Sequence, residues 1–170
     1  MGVSRANIYP DPVEFLVLPD RLVLNYEWTY SWRTIWMDGR TAPREPDLPR
    51  WWGYSAGRWE GNTLVVETTG HDDRSWVDHF GYPHSDQMHL EERWTRLNHN
   101  TLELKMTITD PVICTKPWVS QTKRFHLIPK ERVEPTTGWK SLFEDLCAPV
   151  DEVDQFNKRI RDPAGGVLTR

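Results

Sequence analysis

The stretch "WWGYSAGRWEGNTLVVETTG", residues 51–70, decides how the chain reads. Glu60-Gly61-Asn62 supplies residues that tolerate the backbone of a tight turn, and beyond it Leu64, Val66 and Thr68 alternate with Val65, Glu67 and Thr69. Turn residues between runs of period two are the mark of a β-hairpin. The same pattern extends outward in both directions. Upstream, "VEFLVLPDRLVLNYEW" reads as two strands joined at Pro19-Asp20, the second placing Leu22, Leu24, Tyr26 and Trp28 on one face. "SWRTIWMDGR" is a third strand that stops at Asp38-Gly39, and the Pro-rich "RTAPREPDLPR" leads into the hairpin. Downstream, "QMHLEERWTRL" puts Met88, Leu90, Glu92, Trp94 and Arg96 on one face, and "NHN" turns the chain into "TLELKMTITD", where Leu102, Leu104, Met106 and Ile108 align. "KPWVSQTKRFHLIP" adds a further strand.

The expected fold is therefore mainly β: an antiparallel, lipocalin-like (calycin-type) β-barrel of about eight strands over residues 13–128, with a two-sheet sandwich as the alternative. Near the C-terminus "GWKSLFEDLCAPVDEVDQFNKRIRD", residues 138–162, changes to helical spacing interrupted by Pro149, which predicts a helical segment capping the barrel. No repeat or linker divides the 170 residues, so one domain is expected.

The hairpin signature "GRWEGNTLVVETTG", the preceding "DGR", the element "PHSD" and the later "ITDPVICTKPW" together resemble a family of largely uncharacterised bacterial proteins. The likeness covers residues 13–128, with a weaker echo in "RDPAGG". It implies a lipocalin-type β-barrel and carries no settled activity. Many members begin with a secretory signal, whereas "MGVSRANIYP" has no apolar h-region; the expected location is cytoplasmic.

Composition excludes several classes. Lys and Arg number 21 against 25 Asp and Glu, a net charge of −4, and the basic residues are scattered, so no nucleic-acid footprint is present. No apolar run approaches the roughly 20 residues of a membrane helix. Cys114 and Cys147 are too few and too distant for a zinc ribbon or a disulfide framework, and free thiols are expected. Ten tryptophans are the outlier. They either fill a core or wall a cavity for an apolar, cyclic or aromatic ligand.

The chemistry concentrates in "HDDRSWVDHFGYPHSDQMH", residues 71–89, with four histidines and four aspartates. Metal binding is disfavoured because His79, His84 and His89 are five apart and do not converge on a strand or a helix; His84 with Asp86 is the closest to a shared face. No nucleotide motif is present, and Ser55 in "GYSAG" lies in a hairpin rather than at a nucleophile elbow. The expectation is thus a cofactor-independent site without metal. His84 would be its general acid or base, oriented by Asp78 or Asp73, because an imidazole titrates near neutrality. Glu92, a carboxylate on an apolar face, would be a second proton carrier unless Arg96 pairs with it. Tyr26, Trp28, Trp36, Tyr54, Trp59, Trp76 and Trp94 would line the pocket. The leading reading is an enzyme of lyase, isomerase or cyclase type acting on a hydrophobic small molecule. The second is a carrier that binds such a molecule, and a homodimer is compatible with both.

Overall fold

The computed structural model describes residues 2–9, 11–27, 30–43, 48–128 and 142. Apart from Leu142, the helical segment expected over 138–162 lies outside the described residues, as do Trp28 and Cys147.

One sheet organises the β body. Its strands are β1 (Val13–Val17), β2 (Arg21–Tyr26), β3 (Ser31–Trp36), β4 (Tyr54–Glu60), β5 (Thr63–Thr69), β6 (His89–Asn98), β7 (Thr101–Thr109), β8 (Trp118–Val119) and β9 (Lys123–His126). The first eight lie side by side in chain order, and β9 pairs with β7 alongside β8. The 51–70 hairpin forms as read. Glu60 faces Thr63 across the two-residue turn Gly61-Asn62. Gly61 carries φ +60° there, as the first position of a turn that follows strand twist requires.

Two expectations are corrected. The sheet is mixed, because Ile35 and Trp36 pair in parallel with Ser55 and Ala56. The Pro-rich segment between β3 and β4 is a crossover rather than a hairpin loop, since a parallel neighbour requires the chain to travel back before pairing. The barrel is also not closed. The sheet curls into a half-barrel, and among the described residues β1 is not hydrogen-bonded to β8 or β9.

The alternations translate into one concave face. Leu22, Leu24 and Tyr26 of β2, Leu64, Val66 and Thr68 of β5, Leu90, Glu92 and Trp94 of β6, and Leu104, Met106 and Ile108 of β7 are all buried. Each large apolar side chain removed from water contributes about 1.5–3 kcal/mol. A short helix that the sequence reading did not anticipate, α1 (Val3–Ile8), occupies part of the concavity with Val3 and Ala6 in the core. Among the described residues no helix is long and apolar enough to cross a membrane.

Candidate functional site

At the middle of the concave face lies a buried polar network. Arg33 points inward because it shares a face of β3 with Ile35, two residues on. Its Nε donates to Ser55 Oγ at 2.9 Å and its Nη2 to Thr68 Oγ1 at 2.7 Å. The same guanidinium grips Glu92 twice, Nη1 to Oε1 at 3.0 Å and Nη2 to Oε2 at 2.5 Å. Asn7 of α1 completes the set: its Nδ2 donates to Glu92 Oε1 at 2.6 Å, and its Oδ1 accepts from the Tyr26 hydroxyl at 3.0 Å. Burial pushes the Tyr26 phenol up to about 12, so it stays a donor. Burial also pulls on the Arg33 guanidinium, but the adjacent Glu92 outweighs it and the net shift is upward.

Glu92 thus faces inward as expected, but its partner is Arg33 and not Arg96. Residues four apart on one strand are separated by about 13 Å. Curling of the sheet instead brings β3 and β6 within reach across the concavity. With both oxygens accepting charged or amide donors, the carboxylate is held as part of a satisfied network.

His84 is buried too, and its ring is held on both sides. Nδ1 lies 2.9 Å from the Ser85 carbonyl oxygen, which places the proton of the neutral ring on Nδ1. Nε2 then accepts from Ser75 Oγ–H at 2.7 Å. Ser85 is fixed in turn, since its backbone N–H and hydroxyl both donate to Asp110. Neither Asp78 nor Asp73 bonds the imidazole. Asp78 accepts from the backbone N–H groups of Phe80 and Tyr82 within its own turn, and Asp73 is exposed. His71 packs edge-on against His84 with centroids 5.9 Å apart. Its ring is fully buried, and neither nitrogen has a hydrogen-bond partner. Burial, reinforced by His84 and Arg33, lowers its pKa to about 3. The loop crosses the sheet end here because Arg50 N donates to Gly70 O and Asp72 N to Arg50 O. Among the described residues no group of His, Cys, Asp or Glu is placed to hold a metal ion.

The aromatic residues divide. Trp94 is buried in the core, and its indole N–H has no partner. Tyr26 belongs to the polar network, with Trp52 stacked on it. Trp36 instead receives Arg21 and Arg40 over its ring, Tyr54 donates to the Leu48 carbonyl, and Trp76 is exposed.

A cavity of about 1250 Å³ opens at the other end of the half-barrel, lined by apolar side chains that include Phe15, Leu22, Leu64, Trp94, Leu102 and Phe125. It lies between the β1 edge and β9 and reaches the β4–β5 and β6–β7 turns. Of the residues expected to line a pocket, Trp59 and Trp94 do so. His84, Asp78, Asp73 and Glu92 are not part of its wall. No protein-family model matches the chain, and no curated protein or solved structure is significantly similar to it.

Arg33, Asn7, Thr68 and Ser75 escaped the sequence reading. Arg33 carries the same signal as Glu92, a charge in an otherwise inward-facing alternation, and Thr68 continues the inward row of Leu64 and Val66. Asn7 and Ser75 carry no such signal.

Proposed function

We propose that this protein is a lipocalin-like binding protein that sequesters or carries a hydrophobic small molecule in the cavity between β1 and β9. The observation that supports it is the cavity itself. At about 1250 Å³ it exceeds the roughly 300–1,000 Å³ of an ordinary small-molecule site, and its wall is mostly apolar. The groups with the character of acid–base catalysts lie elsewhere: Glu92 is consumed by Arg33 and Asn7, and His84 has no carboxylate bonded to it.

A second reading, acid–base catalysis through His84, is favoured by the Ser75 hydroxyl donating to Nε2 while the Ser85 carbonyl fixes the tautomer. That arrangement activates an oxygen nucleophile when substrate can reach it.

Titration with the neutral dye Nile red tests the first reading. Saturable fluorescence enhancement is expected, abolished by Leu64→Arg at the cavity wall and retained in His84→Ala. Enhancement that survives Leu64→Arg in a folded variant would place the dye elsewhere and remove the support. Should a substrate be turned over and His84→Ala abolish turnover without changing dye affinity, the second reading replaces the first.

A further inference from the structure

Resting on that binding reading, we propose that the ligand is an amphipathic carboxylate, its apolar body in the cavity and its anionic head on Arg96 at the β6–β7 turn. Arg96 continues the inward row of Leu90, Glu92 and Trp94, and it pairs across the sheet with Leu102, so it stands beside the apolar wall and lines the cavity. Because Glu92 is taken by Arg33, Arg96 is not spent on it.

Its remaining partners are neutral. Nε donates to the Asn98 carbonyl at 3.2 Å, and Nη2 donates to His99 Nδ1 at 3.0 Å and to the His99 carbonyl at 3.4 Å. Among the described residues no carboxylate lies within ion-pairing distance of it, and Nη1 makes no hydrogen bond. Since His99 accepts at Nδ1, its own proton sits on Nε2, a second donor at the same turn.

The other charges of the lining are accounted for. Lys123 gives its ammonium to the carbonyls of Asn7 and Tyr9, and Arg124 pairs with Glu103 at 2.8 Å. Of the two acids, Glu14 accepts from Asn25 at the β1 edge, and Asp11 acts on Lys123. An uncompensated guanidinium at the mouth of an apolar cavity, on a chain of net charge −4, is a local anion site set against the overall field. A guanidinium binds a carboxylate through charge-assisted, often paired hydrogen bonds, and a hydroxyl of the same chain length offers neither the charge nor the second oxygen.

The test is displacement of Nile red from the full chain by hexadecanoate, hexadecanol and hexadecylamine. Hexadecanoate is expected to displace at about tenfold lower concentration than the alcohol, the scale of one charge-assisted hydrogen bond. The amine should be weakest, and the advantage of the acid should shrink as salt is added. Arg96→Met, at an exposed position, is expected to keep the fold and to bring acid and alcohol together, each displacement being referred to the variant's own dye affinity. Equal displacement by acid and alcohol, or an acid preference that survives Arg96→Met, overturns the head-group assignment while the binding reading stands. Failure of Nile red to bind at all removes both.

Discussion

Arg33 and Glu92 sit at 2 % and 0 % exposure, and two charges so far from water persist only as a pair. Removing one partner strands the other, so Arg33→Met or Glu92→Leu alone is expected to cost about 3–5 kcal/mol. The double variant should cost much less than the sum, as read by urea unfolding in a double-mutant cycle. Additive losses would show that the two side chains act independently. His71 makes the opposite case, a polar ring buried without partners. Its folded pKa, about 3, lies below the ordinary 6.5. The unfolded chain therefore binds more protons between those values. Stability should be full above about pH 6.5 and fall as pH drops through this window, with a slope approaching 1.4 kcal/mol per pH unit, about one proton. His71→Leu should flatten the profile. An unchanged acid slope in that variant would assign the sensitivity to another group. At this scale the sequence showed that Glu92 points inward, since period-two alternation assigns a face. It did not show the partner, because pairing across a concave sheet depends on curvature that no local pattern carries.

The elements were legible in proportion to their length and regularity. β6 and β7 alternate over most of their length, broken by a register shift between Arg96 and Asn98, and the β4–β5 and β6–β7 pairs close across turns of two residues. α1 was invisible, because six residues, VSRANI, make fewer than two turns and no periodicity can develop. Such a helix is not stable alone and exists through what it docks onto. Its ties are Asn7 to Glu92 and Tyr26, Ser4 Oγ to the Val77 carbonyl at 2.8 Å, and Lys123 capping its C-terminal carbonyls. Asn7→Ala is expected to cost about 1–3 kcal/mol, because it leaves the Tyr26 hydroxyl and one Glu92 lone pair buried and unmet. Tyr26→Phe should then cost less in the Asn7→Ala background than in the wild type, since the bond it would break is already gone. Thermal unfolding of the four proteins measures both quantities; an equal cost of Tyr26→Phe in both backgrounds would exclude the bond as a contributor.

For the molecule as a whole, the amino-acid sequence by itself determined that the chain is built of successive β-strands, where most of them turn, and which apolar side chains of β2, β5, β6 and β7 share the inward face. Those properties are local: steric limits at turns and the two-residue repeat of a pleated strand act over neighbours in the chain. Only the tertiary structure decided that β3 and β4 run parallel, that the sheet stays an open half-barrel, and that the cavity lies beside Arg96 and Trp94 rather than beside His84. These outcomes depend on how twist and curl accumulate over the sheet and on which distant segment fills the hollow. In this molecule α1 and the Arg33–Glu92 pair occupy the middle of the concave face, and the cavity falls between β1 and β9.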